Sequence, residues 1–353
     1  SQPSSVLPLP PAVKSPRHWL LGPAWHAQRD PLRWFPEWIR EHGDIFRIVS
    51  PLGQAVIVAS PDFARQVLVE RARRYQEKSK SYIVLRILMG NGLVTSGGEV
   101  WRRQRKLVQP AFHRRRLEGL FAMMAERIEG CARGLEPAAR AGQTIDFAPL
   151  LSQLTLDIIS RAMFSSDVQS SASDVAQHIA ILNEYALRML RNPWLFLLPR
   201  RIPTPFTHAP VRSLRSLDAI VHGIIRARRA APEAHDDLLS MLLNAAEEET
   251  GRGMTDAQLR DEVMTIFVAG HETTANAMAW LMYLLARNPN VEQRLLEEIG
   301  ASDSGTPLTL EQAASFPYLR QVIDESLRVY PTIWSIGRRC TEPDELGGYR
   351  IPT

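Results

Sequence analysis

Six consecutive residues, Ala269-Gly270-His271-Glu272-Thr273-Thr274, bring together a glycine, an imidazole, a carboxylate and two hydroxyls. Chemistry that moves protons needs such groups. Glu272 can carry a proton, and a threonine hydroxyl can pass or accept one. At helical spacing Ala269 and Thr273 stand i and i+4 and share a face. A threonine hydroxyl can bond the carbonyl four residues back and bend the helix. The expectation is a groove walled by Ala269 and Gly270, with Thr273 in it and Glu272 beside it. The bare glycine would let a flat group approach the backbone. Two threonines back-bonding inside a core helix fit these six residues equally well. A zinc-protease HExxH reading fails, because Ala275 stands where the second histidine is required.

A second candidate is Trp101 with Arg105, i and i+4 on a basic helix. An indole N–H and a guanidinium presented together suit an anion carrying two carboxylates or phosphates. Arg102, Arg103 and Lys106 then face elsewhere, as a solvated basic face or a dock for an acidic protein. Nucleic acid is the poorer fit, since the net charge is only +4 and no aromatics interleave the basic run. A third pair, Glu325 and Arg328, is i, i+3. Exposed, it would be worth little, but Leu319, Val322, Ile323 and Leu327 make its helix amphipathic. Cys340 reads as a packing residue in a β segment, and Cys131 as a core residue of its helix.

The elements that hold these groups can be read locally. Thr255 and Gln258 have capping-box spacing. Asp256, Asp261 and Glu262 place negative charge near a helix N-terminus, and Asn288-Pro289 stops the run. A helix over 256–287 spans roughly 48 Å at ~1.5 Å per residue. Such a helix is expected to be buried along most of its length. It is not a membrane span, because His271, Glu272 and Asn276 would sit near the bilayer centre at several kcal/mol. Further helices are predicted over 36–42, 61–70, 99–109, 117–141, 147–164, 174–190, 211–230, 236–248, 291–299 and 319–330. Residues 44–49 and 55–59 form a hairpin signal. Residues 1–36 read as an irregular strap, 79–94 as a loop with apolar side chains, and 192–210 as a proline-rich loop. From Thr332 the chain turns β-like.

A chain of 353 residues with 45% apolar and 23% charged residues is long enough for one large mostly helical domain. Two distant cysteines with no CxxC fit a reducing compartment. No secretory leader pattern or membrane anchor is seen, so a cytoplasmic protein is expected.

In this order, the Trp101–Arg105 helix, AGHETT on the long helix, Glu325-Ser-Leu-Arg328 ending at Tyr330-Pro331, and the Arg338-Arg339 to Gly348-Tyr349-Arg-Ile-Pro segment resemble the cytochrome P450 family. The resemblance spans almost the whole chain, 1–353, as a single domain. It implies a mainly α fold with a small β-sheet region. The implied cofactor is haem b, iron protoporphyrin IX. The implied reaction inserts one oxygen atom of O2 into an apolar small molecule, with electrons from a ferredoxin or flavodoxin-type donor. Trp101, Arg105 and Arg338 would hold the haem propionates, and Ala269 and Gly270 would wall the haem. Thr273 would hydrogen-bond dioxygen there, and Glu272 would feed it protons through water. Glu325 and Arg328 would buttress the core. Tyr82, Ile83, Leu88, Thr332, Ile333 and Trp334 would lie near the substrate, and Arg102, Arg103 and Lys106 would flank the donor's docking face.

One departure stands out. The family's ligand cysteine lies in a glycine-bearing loop expected beyond Thr353, and no metal ligand is expected within these residues. The 353 residues alone are therefore expected to be inactive, as part of a longer enzyme. Two alternatives remain open: a haemless scaffold acting as a binding or regulatory protein, and a peroxide-driven peroxygenase.

Overall fold

A computed structural model describes residues 7–13, 22–50, 53–165, 169–191, 207–230, 237–247, 251–300 and 308–353. Most of the proline-rich 192–210 segment lies outside them. The first helices are α1 (Pro23–Arg29) and α2 (Pro31–His42); the second half of α2 is the helix predicted over 36–42, whereas α1 and the start of α2 are helical where an irregular strap was predicted. Each starts with proline at its first turn, where the missing N–H costs nothing. The predicted hairpin is present: β1 (Ile45–Ser50) pairs antiparallel with β2 (Gly53–Val58). After α3 (Pro61–Arg65) comes a two-residue strand, β3 (Glu77–Lys78).

The apolar 79–94 segment is not simply a loop. It contains α4 (Ile83–Met89), which buries Val84, Leu88 and Met89 and leaves Ile83 and Leu85 exposed. Seven residues are too few for a periodicity argument to detect. Then follow α5 (Gly98–Val108), α6 (Arg114–Arg140), α7 (Phe147–Phe164), α8 (Gln169–Arg191), α9 (His208–Ala230) and α10 (Leu238–Asn244). The long helix is α11 (Asp256–Arg287). Beyond it lie α12 (Pro289–Gly300), α13 (Leu310–Ala314), α14 (Pro317–Val329), β4 (Arg338–Arg339), β5 (Asp344–Leu346) and β6 (Tyr349–Ile351).

α11 organises the molecule. Its capping box forms as the spacing implied, with Thr255 and Gln258 exchanging bonds. Leu259, Val263, Met264 and Phe267 enter a core with Met163 and Phe164 of α7, Leu217, Val221 and Ile225 of α9, and Leu239 and Leu242 of α10. The expectation of burial along the whole helix is half right. The buried residues stop at Ala275, and Trp280, Met282 and Tyr283 are exposed. Beneath the core, Arg228 of α9 bonds Asp237, Ser240 and the Phe164 carbonyl, all buried.

The short strands matter for what they join. β3 pairs antiparallel with β4, Lys78 opposite Arg338 and Glu77 opposite Arg339. This ribbon ties an early segment to the end of the chain. Among the described residues no helix is long and apolar enough to cross a membrane.

Candidate functional site

The polar break sits midway along α11. The Thr273 hydroxyl donates to the Ala269 carbonyl. Its proton is thus engaged by the helix while its lone pairs stay free to accept. Glu272 is exposed and accepts from Asn183 Nδ2 of α8 at 2.5 Å. His271 faces the other way, buried, with Nε2 3.0 Å from Ser152 Oγ of α7. Burial pulls its pKa down, so it is neutral at pH 7 and bears on packing.

Gly270 packs against α7. A Cβ there would meet Ile159 Cδ1 of α7 at 2.9 Å, so the missing side chain lets α7 and α11 approach. Ala269 and Gly270 stand i, i+4 and i, i+3 from Thr273.

The second half of the site is cationic. On α5 the Arg105 guanidinium lies 5.2 Å from the centre of the Trp101 ring, so this pair shares a face as its spacing required. The start of α5 is pressed against β3. A Cβ on Gly97 would lie 3.3 Å from Glu77 Cα, and Arg102 Nη2 donates to Gln76 Oε1 at 2.6 Å. The N-terminal end of α5 thus lies against the ribbon carrying Lys78 and Arg338. Burial, and then the Arg338 guanidinium, pull the Lys78 ammonium down to about 8. Among the described residues none of Arg105, Lys78 and Arg338 has a carboxylate partner within ion-pair distance. Lys78 and Arg338, half-buried and opposite each other without a carboxylate, are the pair that an external anion would relieve. Lys78 was not legible in the sequence, because only the β3–β4 pairing sets it opposite Arg338. Asn183 was likewise silent, since nothing local marks a helix residue that reaches across to another helix.

Other expected site residues fall elsewhere. Glu325 and Arg328 form a two-pronged pair at 2.7 Å on each arm, but on the open face of α14, with side chains 59% and 70% exposed. They buttress no core here. Leu88 is inside the main core, not at a pocket. Ile333 and Trp334 are exposed, and Trp334 meets Phe35 of α2 edge-on at 5.5 Å. Tyr82 lies with its ring 5.5 Å from Lys78 Nζ, so it borders the cations. Ile83 is exposed at the start of α4, and Thr332 is half-buried. Arg103 is not a free surface cation: it bonds Glu247 and the Gly253 carbonyl. Arg102 is exposed but shared between Glu99 and Gln76, and Lys106 is exposed as well. Cys340 is a packing residue, buried with Tyr75, Leu346 and Ile351 and with Sγ 2.8 Å from the Glu342 carbonyl. Cys131 is half-buried on α6, not in the core. The described residues hold no cluster of three or more metal-ligating side chains.

The cytochrome P450 profile matches residues 11–353, and the chain belongs to that family. A cyclooctat-9-en-7-ol 5-monooxygenase from Streptomyces melanosporofaciens is 34% identical over 334 residues, 94% of this chain and 71% of that one. A pentalenene oxygenase from Streptomyces avermitilis is 33% identical over 334 residues, 94% of this chain and 72% of that one. The solved heme domain of cytochrome P450DA superimposes with a TM-score of 0.83 at 26% identity, covering 98% of this chain and 75% of that one. The family's members are haem monooxygenases that take O2 and apolar substrates and need a source of electrons. Haem carries two propionates, and Arg105, Lys78 and Arg338, which have no carboxylate partner among the described residues, carry the opposite charge.

Proposed function

We propose that this chain forms the oxygen-side wall and propionate clasp of a cytoplasmic monooxygenase that inserts one atom of O2 into an apolar small molecule. Electrons come from a separate ferredoxin- or flavodoxin-type donor. The observation that carries the reading is the β3–β4 ribbon, which sets Lys78 opposite Arg338 and packs against the start of the helix that carries Trp101 and Arg105. Relatives named for cyclooctat-9-en-7-ol and pentalenene support an apolar, largely hydrocarbon substrate.

Haem, when bound, supplies the iron at which O2 is activated. Trp101 Nε1, Arg105, Lys78 and Arg338 are the groups that would hold its two carboxylates. Ala269 keeps the groove wall small. Thr273 Oγ1 donates to the Ala269 carbonyl in its resting rotamer, so there it is available only as an acceptor and must leave that carbonyl before it can donate to anything else. Glu272 exchanges protons with solvent through its exposed carboxylate, and Asn183 Nδ2 holds that carboxylate in place. The iron ligand is not assigned to Cys131 or Cys340.

Haem titration followed by absorbance tests the clasp. Arg105→Leu with Lys78→Met is expected to weaken haem affinity at least tenfold, about 1.4 kcal/mol; unchanged affinity refutes it. Thr273→Ala tests the relay. In haem-loaded protein supplied with electrons it is expected to release peroxide in place of product, and unchanged coupling of electrons to product refutes that role.

A further inference from the structure

The loop between α4 and α5 lies directly on the N-terminal half of α11, and its contacts are unusual. Asn91 N donates to Asp261 Oδ2 at 2.7 Å, and Leu93 N donates to Glu262 Oε2 at 3.0 Å. Gly92, between them, has no room for a side chain: a Cβ would fall 2.6 Å from the Asp261 carbonyl oxygen and 2.2 Å from Thr265 Oγ1. From the other side, Gln104 of α5 donates to the Asn91 carbonyl at 3.0 Å. Glu262 is 0% exposed and Gln104 2%. Beneath the loop Glu262 Oε1, Gln104 Oε1, Thr265 Oγ1 and Ser96 Oγ are all buried without a partner. Two of these atoms only accept, so the seam is short of donors, and a proton on the carboxyl would add one.

We propose that loop 90–96 is a proton-operated clasp on α11. Asp261 and Glu262 grip the Asn91 and Leu93 amides, and ionisation of Glu262 loosens the grip.

The surrounding charges leave Glu262 uncompensated. On its own helix, Arg260 is taken by Asp218 of α9 and by Asp261. Arg86 of α4 spends its guanidinium on the Thr95 carbonyl. Arg103 of α5 bonds Glu247. On α7, Asp157 is held by Arg127 and Arg161, and Asp237, which caps α10, is held by Arg228. Asp261 is the charge that bears on Glu262, and it repels. Burial first, and then Asp261, push the Glu262 carboxyl up to about 7, against the Leu93 amide, which favours the anion. The closed clasp therefore holds the proton. An open clasp, wetting Glu262, releases it.

The clasp has a consequence at both of its ends. Loop 90–96 runs into α5, which carries Trp101 and Arg105, and follows α4, beside Tyr82 and Lys78. Opening it would loosen the cation site and the segment bordering it together. The clasp rests on the packing of the loop and the burial of Glu262, and stands whether or not haem is the bound group.

Hydrogen exchange read by mass spectrometry tests it, with intrinsic rates corrected for pH. The closed carboxyl at about 7 and an open one at its ordinary 4.5 make the opening constant of peptide 90–96 rise about 30-fold from pH 5.5 to 8.5. Peptides from α6 serve as the reference and are expected to stay flat. Glu262→Gln keeps an acceptor for Leu93 N and is expected to reduce the rise to under about 3-fold. A wild-type loop with no rise, or a Gln variant with the full rise, overturns the proposal. The wild-type measurement decides on its own should the variant fold poorly.

Discussion

Gly92→Ala is the substitution that bears most directly on how the α4–α5 loop sits. The added methyl would fall 2.2 Å from Thr265 Oγ1 and 2.6 Å from the Asp261 carbonyl oxygen. The threonine can rotate. The carbonyl cannot, because it belongs to the hydrogen-bond ladder of α11. Two responses are open. The loop can lift, losing the Asn91–Asp261 bond, to a carboxylate and worth about 1.5–3 kcal/mol, and the Leu93–Glu262 bond, to a protonated carboxyl and worth about 0.5–1.5 kcal/mol. Alternatively the helix and loop can deform around the methyl, an overpacking cost of about 1–3 kcal/mol. The cheaper route sets the result, so a loss of about 2–3 kcal/mol is expected. Urea unfolding measures it, with Gly130→Ala as the control. Gly130 lies exposed in α6 with nothing within 4 Å of a Cβ, so that change should stabilise by about 0.5–1 kcal/mol. If both alanines move the midpoint the same way by similar amounts, the loop does not lie on α11 as described.

The remaining expectations concern charge. Glu262 has its folded pKa raised from 4.5 to about 7, so the native state binds the proton more tightly. Stability is lost as pH rises between those values, by up to roughly 3 kcal/mol at ~1.36 kcal/mol per unit. Glu262→Gln should remove that slope in urea unfolding at pH 5 and pH 8, and parallel slopes would contradict it. Arg228→Met strands the Asp237 carboxylate, 3% exposed, and should cost about 3–5 kcal/mol. Adding Asp237→Asn should restore much of this, and strict additivity of the two changes would argue against their coupling. Burial acts to raise the Asp237 pKa, but Arg228, Ser165 and Ser240 together hold it below the usual range. Its contribution is therefore present at neutral pH and lost in acid, a loss the double variant should not show. Lys78 titrates near 8, so haem affinity should fall as pH rises through that value. The Lys78→Met protein should lack this fall, and an identical pH profile would remove Lys78 from the site.

Much of the site was legible because it is local. The AGHETT run, the i, i+4 spacing of Trp101 and Arg105, and the Thr255–Gln258 cap are set by helical periodicity, which sequence displays directly. The Thr273 back-bond to Ala269, the shared face of Trp101 and Arg105 and the capping box follow from it. Tertiary structure alone decided which face of each helix meets what. It turned Gly270 toward Ile159, left Glu325 and Arg328 on an open face, folded the 83–89 stretch into a core helix, and sent Trp334 to Phe35. It also supplied what no local pattern carries: Lys78 opposite Arg338 across a two-residue ribbon, Asn183 reaching Glu272, and the buried Glu262 beneath the loop. Periodicity fixes which residues share a face. The partner of that face comes from segments far away in the chain, and only packing brings them together.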